Sequence, residues 1–250
     1  MLLEVNDLSK TFMIKKANSF KKEAFQAVKN VHLRIEEGEV FAVIGESGSG
    51  KSTLGKLLLG MEKPTFGQLI FDGKEINDPT DKRAMQVIFQ HPDEALNPML
   101  PIIDSVMEPL LISDDKKSAR EKAELILTKV GIVPTQFQLF PRNLSGGQKQ
   151  RIVIARALVS QPKFIVADEP VSSLDATIQH QVIALMMRLK AEFQLTYFFI
   201  SHDLLLVSEI ADRIAVMNQG EIVEQGTTEE ILKAPKHPYT KRLLKAALIG

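Results

Sequence analysis

"VFAVIGESGSGKSTLGKLLLG", Val40–Gly60, decides the fold. Its first five residues are apolar, a run that suits a short strand covered on both faces, as in a parallel sheet. The next stretch, "GESGSGKST", fits the pattern G-x-x-x-x-G-K-[ST] at Gly45, Gly50, Lys51 and Ser52, with Glu46, Ser47, Gly48 and Ser49 between and Thr53 after. Glycines let successive backbone N–H groups turn inward as an anion nest, and the dipole of the following helix adds positive potential. Lys51 supplies a point charge for β- and γ-phosphates, and the Ser52 hydroxyl is a hard oxygen ligand suited to Mg²⁺. An apolar strand in front and a helical pattern behind separate this from an accidental glycine turn. The expected ligand is a nucleotide with its Mg²⁺.

Working outward, "LLEVNDLSKTF" and "AVKNVHLRI" alternate as strands, with the lysine-rich "IKKANSFKKE" between them as a bridge. "GQLIFDGKEI" reads as a hairpin strand, and "AMQVIFQ" as a buried strand ending on Gln90. From His91 to about Val159 helical periods dominate, as in "KSAREKAELILTKVG". Buried strands return in "KFIVADEP" and "TYFFISHD", separated by a helix from Ala176 to Phe193. "DRIAVMNQGEIVEQG" is a hairpin with Gln-Gly at its turn, followed by two short helices. This predicts an α/β P-loop NTPase core over about residues 1–90 and 160–250, with an N-terminal antiparallel β subdomain. A helical subdomain over about 91–159 interrupts it.

Three further clusters point to phosphate chemistry. Asp168 and Glu169 close an apolar strand, and adjacent carboxylates there point in different directions. One can hold the Mg²⁺ shell while the other faces the γ-phosphate and polarises a water. His202 and Gln90 stand at the tips of other strands. Either alone would be unremarkable; beside a phosphate loop and an acid pair, they read as a γ-phosphate contact and a Mg²⁺ or water ligand. The third cluster is "NLSGGQKQR", Asn143–Arg151, which resembles a second anion-holding helix start. One active site needs no second nest, so Ser145, Gly146, Gly147 and Gln148 are expected to close over a nucleotide held by another subunit, with Ser145 also capping its helix.

Composition narrows the classes. The 31 basic and 31 acidic residues cancel, which disfavours nucleic acid as the main partner. With no cysteine in the chain, a disulfide scaffold, a thiolate zinc site and an iron–sulfur cluster are excluded. The start, "MLLEVNDLSK", has no apolar segment of signal-peptide type, and no run of about 18 apolar residues occurs, so a soluble, cytosolic chain is expected.

Together these motifs resemble the ATP-binding cassette (ABC) ATPases, over essentially the whole chain. The resemblance implies ATP and Mg²⁺ as ligands. It implies adenine stacking on Phe12, a phosphate loop at Gly45–Thr53, a Q-loop glutamine at Gln90, and a family signature at Leu144–Gln148. It further implies a Mg²⁺ carboxylate at Asp168, a general base at Glu169, a D-loop at Ser172–Asp175 with Asp175 at the dimer contact, and a switch histidine at His202. "FQHPDEALNPMLPI" and "HPYTKRLLKA" look like the oligopeptide/dipeptide/nickel importer group. Many of its members carry a cysteine-bearing tail after "HPYT"; none follows here, which suggests the short nickel or metallophore subunits. The implied function is the motor of an importer, peripheral on the cytoplasmic face of the membrane. Its partners would be a second ATPase subunit (a different chain, or a copy of this one), two permeases and, indirectly, a solute-binding protein. A soluble scaffold ATPase of iron–sulfur assembly type is the alternative. A repair or translation ATPase would need a coiled-coil insertion or two cassettes.

Two surface expectations complete the reading. Pro92 and Pro98 should keep 91–101 an irregular exposed loop, with Leu96, Met99 and Leu100 gripping a permease. Lys15, Lys16, Lys21 and Lys22 should form a solvated loop.

Overall fold

The computed structural model describes residues 1–15, 22–76 and 84–249. Its contacts divide the chain into two compact units, one of Met1–Asp81 with Thr196–Gly250, the other of Lys82–Leu195.

The first unit holds two sheets. In one, β1 (Leu3–Lys15) pairs antiparallel with β2 (Lys22–Ile35) on one side and with β4 (Phe66–Phe71) on the other, and β5 (Lys74–Glu75) pairs antiparallel with β4 at the edge. Leu3 and Val5 lie opposite Ile35 and Leu33, all buried, while Glu4 between them carries an exposed ion pair to Arg34. That is the period-2 division of a sheet with one covered face. The ladder slips between Val5 and Leu8. Near the slip, Asp7 and Asn30 take φ of 52° and 44°, a left-handed conformation that these residue types tolerate. Ser9 fastens the slip, its hydroxyl accepting from the Asn30 amide at 2.9 Å. The hairpin runs on to the pair Lys15–Lys22, so Ile14, Lys15, Lys22 and Glu23 are strand residues, not bridge. Cross-strand pairing outlasts the apolar pattern there. Lys16 and Lys21 lie outside the described residues.

In the other sheet, β3 (Val40–Ile44) lies between β8 (Thr196–Ile200) and β9 (Arg213–Asn218), parallel to both, and β10 (Glu221–Thr227) pairs antiparallel with β9. Every residue of β3 and β8 is buried, as the continuous apolar runs require. The β9–β10 turn puts Gln219 and Gly220 at φ of 48° and 89°, the double left-handed geometry that matches the twist of a hairpin. β3 delivers the chain into α1 (Lys51–Leu58), which buries Lys51, Leu54, Gly55 and Leu58 at helical spacing. The unit also holds α7 (Leu204–Ile210), α8 (Thr228–Lys233) and α9 (Pro238–Ile249).

In the second unit β6 (Met85–Ile88) and β7 (Phe164–Asp168) run parallel, Met85 opposite Phe164. β7 is buried up to Asp168; β6 is only half-buried at Gln86 and Val87, less covered than its sequence suggests, and it stops at Ile88, short of Gln90. The helices are α2 (Pro92–Ala95), α3 (Ile102–Met107), α4 (Lys116–Lys129), α5 (Gly146–Leu158) and α6 (Ala176–Phe193). α4 buries Ala119, Ala123, Ile126 and Leu127 along one stripe, starts on the Asp115 side chain, which accepts from the amides of Lys117 and Ser118, and is followed by Gly131 at φ 84°.

The stretch 91–101 departs from expectation. Pro92 does not prevent a helix; it opens α2, because a first-turn residue needs no N–H and proline presets φ. Leu96 is 4% exposed and belongs to the core, whereas Met99 is 78% exposed and Leu100 is half-buried. Of the three apolar side chains expected on the surface, only Met99 stands fully there.

Candidate nucleotide site

The phosphate loop begins where β3 ends. Gly45, Gly48 and Gly50 adopt φ of 153°, 79° and 109°. Two of them are required twice over. A Cβ on Gly45 would lie 2.1 Å from the Met217 carbonyl oxygen, and one on Gly50 2.3 Å from the Ala27 carbonyl oxygen, both rigid backbone atoms. At Gly48 no described atom stands within 4 Å of such a Cβ, so its glycine is needed for backbone conformation alone, on the open side of the loop. Lys51, 6% exposed, folds its ammonium back to donate to the carbonyls of Gly45 at 2.8 Å and Glu46 at 2.9 Å. The Gly220 amide donates to the Ser49 carbonyl at 2.8 Å, so the β9–β10 turn braces the loop.

These features fit a bound polyphosphate. Gly50, which precedes α1, makes no side-chain cap, so the helix's first amides are not claimed in that way among the described residues. The Ser49 hydroxyl is buried without a hydrogen-bond partner among the described residues, an expensive state that a phosphate oxygen would relieve. Ser47 and Ser52 are exposed, and Thr53 is half-buried on α1. His202 is exposed two residues beyond β8, in a turn fixed by Asp203: its amide donates to the Ser201 hydroxyl at 3.0 Å, and its carboxylate caps α7 by accepting from Leu206 N–H at 3.1 Å. Phe12, on β1 opposite Phe25, is half-buried with the Lys10 ammonium 4.9 Å from its ring centroid. Lys10 is itself held by Glu62 at 2.9 Å.

The second unit gathers the acid pair, Gln90 and the signature. Asp168 is the last residue of β7, and Glu169 follows it at φ 47°. A left-handed glutamate is strained backbone of the kind that accumulates at reactive sites. The Gln90 amide donates to Glu169 Oε2 at 3.2 Å and to the Ser172 hydroxyl at 3.2 Å; Ser172 in turn donates to the Glu169 carbonyl at 3.2 Å. The structure thus brings Gln90, Glu169 and the D-loop serine into one polar cluster. Asp175 is exposed and caps α6, accepting from Ile178 N–H at 3.0 Å.

The signature is built differently from the phosphate loop, and its reading as a second nest is corrected. Neither Gly146 nor Gly147 is left-handed; both lie in α5. Ser145 and Gln148 form a capping box: the Ser145 hydroxyl accepts from Gln148 N–H at 3.3 Å, and the Gln148 side chain accepts from Ser145 N–H at 3.0 Å. The glycines serve close packing, since a Cβ on Gly147 would lie 2.6 Å from Ile178 Cγ2 and one on Gly146 3.3 Å from Leu174 Cδ2.

The roles of two residues were not visible beforehand. In sequence Ser172 is only the first residue of the D-loop, and its bridging of Gln90 to Glu169 depends on tertiary placement. Nothing in the "HPYT" pattern assigns Tyr239 a role; its hydroxyl accepts from the Glu46 amide of the phosphate loop at 3.2 Å.

Similarity to known proteins extends over nearly the whole chain. The ABC transporter family matches residues 28–172, and the oligopeptide/dipeptide transporter C-terminal region matches residues 223–249. The chain is 43% identical over 253 aligned residues to the dipeptide transport ATP-binding protein DppF of Escherichia coli K12, covering 98% of this chain and 76% of the relative. It is 42% identical to the oligopeptide transport ATP-binding protein OppF of Streptococcus pyogenes serotype M1, covering 99% and 82%. Among solved structures, the dimeric ATP-binding cassette MJ0796 bound to ADP and phosphate superposes with a TM-score of 0.78 at 29% identity, covering 91% of this chain and 99% of that one. CbiO1 of Clostridium perfringens, part of the CbiONQ ABC transporter complex, gives 0.79 at 28% identity, covering 93% and 91%. With its phosphate loop, acid pair and capped signature, and with kinship along nearly its whole length, the chain belongs to the ABC transporter family of ATPases, in the group that carries the oligopeptide/dipeptide transporter C-terminal region.

Proposed function

We propose that this chain is the ATP-hydrolysing motor of a dipeptide or oligopeptide importer, working on the cytoplasmic face of the membrane with two permeases and a second cassette. The observation that carries the reading is the match of residues 223–249 to the oligopeptide/dipeptide transporter C-terminal region, alongside relatives named for dipeptide and oligopeptide transport. Those relatives favour peptides over nickel or a metal chelate, and they lend no support to a soluble iron–sulfur scaffold. No helix among the described residues is long and apolar enough to cross a membrane, so passage through it falls to the partners.

In this reading the left-handed glycines and α1 amides of Gly45–Thr53 cradle the β- and γ-phosphates, and Lys51 exchanges its loop carbonyls for phosphate oxygens. Phe12 stacks on adenine. Ser52, Gln90 and Asp168 would hold Mg²⁺, which would supply neutralisation of the phosphate charge. Glu169 accepts the proton of the attacking water, with its carboxylate held by the Gln90 amide and its backbone carbonyl by Ser172, and His202 steadies the γ-phosphate. Residues 91–159 act as the signature-bearing subdomain. Ser145, Gly146, Gly147, Gln148 and Asp175 meet the nucleotide of the second cassette in head-to-tail symmetry. Exposed Met99 takes part in permease docking, a task Leu96 is too buried to share.

The test is co-purification with the permeases and reconstitution in vesicles. ATP hydrolysis should rise when a peptide-loaded binding protein is added, and Glu169→Gln should keep ATP affinity while losing hydrolysis by about 10²- to 10⁴-fold, the usual contribution of a general base. Stimulation by a nickel chelate instead of peptide would overturn the cargo, and hydrolysis at the wild-type rate by Glu169→Gln would overturn the base.

A further inference from the structure

The matched C-terminal segment contributes more than a family label. Glu224 on β10 accepts hydrogen bonds from the amides of Lys236 at 2.7 Å and His237 at 3.0 Å. Burial pushes the Glu224 carboxyl up, but these two amides stabilise its charged form and hold it below the ordinary carboxylate value. His237 Nδ1 then accepts from Tyr239 N–H at 3.2 Å, and Pro238 opens α9. The "HPYT" stretch is therefore locked at the start of α9, and it sends one aromatic ring inward: Tyr239 is 6% exposed.

Tyr239 reaches the phosphate loop at Glu46. Its hydroxyl accepts from the Glu46 N–H at 3.2 Å, while the Glu46 carbonyl accepts from Ser49 N–H at 3.2 Å and from the Lys51 ammonium at 2.9 Å. The hydroxyl thus fixes the residue whose carbonyl parks the lysine. Packing alone would be served by phenylalanine, since a buried hydroxyl is costly unless bonded.

We propose that Tyr239 is a positioning residue of the nucleotide site, holding the Glu46 backbone so that Lys51 is presented in register with the phosphates. Through it, the C-terminal segment sets nucleotide affinity. The proposal rests on the phosphate-loop reading above. Its test is a double-mutant cycle on the full-length chain, with the Mg²⁺–ATP affinity measured by displacement of a fluorescent trinitrophenyl-ATP. Tyr239→Phe keeps the ring and removes the acceptor; ATP affinity should fall roughly 3- to 10-fold, the span of one ordinary hydrogen bond, with the nucleotide-free melting temperature nearly unchanged. In a Lys51→Ala background the same change should have no further effect, because its route to the phosphates is gone. Wild-type affinity in Tyr239→Phe overturns the proposal. So does a loss that multiplies equally in both backgrounds, or one accompanied by a large drop in melting temperature, since either makes Tyr239 a packing residue. If Lys51→Ala itself leaves ATP affinity intact, the phosphate-loop reading fails first, and the proposal with it.

Discussion

The phosphate loop and the signature look alike in sequence, "GSGKS" and "SGGQ", yet their glycines do opposite jobs. In the loop, Gly45, Gly48 and Gly50 are left-handed, and α1 starts without a side-chain cap. In the signature both glycines are helical, and the first turn of α5 is closed by the Ser145–Gln148 box. The loop uses left-handed backbone that leaves N–H groups free to turn toward the proposed phosphate; the signature gives up side chains so that α5 can approach Leu174 and Ile178 closely. A glycine-rich helix start is therefore not one kind of device. Backbone dihedral and cap occupancy separate a nest from a close-packed, finished N-terminus, and the proposed function assigns a phosphate of its own chain to the first alone.

The comparison breaks hardest in nucleotide affinity. Lys51→Ala should weaken ATP binding by the isolated chain about 100-fold, since it deletes a buried charge-assisted contact. Ser145→Ala should leave that affinity unchanged and slow hydrolysis only in the assembled transporter. Calorimetric titration of each isolated variant decides it; equal losses in the two would mean that both stretches serve the chain's own nucleotide.

Stability should separate the two kinds of glycine. Gly45→Ala forces a Cβ to 2.1 Å from the rigid Met217 carbonyl and should cost about 2–4 kcal/mol. At Gly146→Ala the nearest obstacle is the Leu174 methyl at 3.3 Å, which can give way, and the helical backbone gains from alanine; the net change should stay within about 1 kcal/mol of zero. Urea unfolding of the two variants without nucleotide reads the difference. A Gly45→Ala chain as stable as wild type would remove the claim that the loop is braced by β9.

How much of this was legible beforehand follows from what kind of signal each part leaves. β3, β8 and α6 were readable because burial on both faces and helical spacing are local patterns; α6 runs from Ala176 to Phe193, as its sequence indicates. The Gln-Gly turn was readable for the same reason. The phosphate loop was legible because its glycines and lysine are adjacent in sequence. Leu96 was misplaced because a short polar stretch around two prolines says nothing about which apolar residue turns inward. The extent of the β1–β2 hairpin was missed because hydrogen bonding across the strands, rather than hydrophobic alternation, sustains its lysine-rich end. The Gln90–Glu169–Ser172 cluster and the Tyr239–Glu46 contact join residues 79 and 193 positions apart, beyond the reach of any local pattern.

The capping box offers a finer test. Ser145→Ala removes the acceptor for Gln148 N–H and frees the Gln148 side chain from its reciprocal bond, so α5 should lose about 1 kcal/mol. Ser145→Asp keeps an acceptor at the same position and should recover most of that loss. Thermal unfolding of the isolated chain measures both. If Ser145→Ala is neutral in the free chain but damaging in the transporter, the box is idle at rest and the serine is held for the partner nucleotide alone.

The smallest expected effect concerns the brace behind the loop. Because Glu224 is held below its ordinary value of 4.5, its cap on α9 is fully present above that pH and is lost as the pH falls through the lower folded value. Glu224→Gln keeps the shape and weakens the acceptor, so at pH 7 it should cost about 0.5–1 kcal/mol, in the range of other caps. The variant should also lose less stability than wild type between pH 5 and the onset of acid unfolding. Tyr239 is anchored through the same segment, so ATP affinity at pH 7 should drop slightly in Glu224→Gln, by less than in Tyr239→Phe. Signature variants should show no such linked change. Parallel stability–pH curves for wild type and Glu224→Gln would remove the carboxylate from the brace and leave the β9–β10 turn, through Gly220 and Ser49, as the support of the phosphate loop from that side.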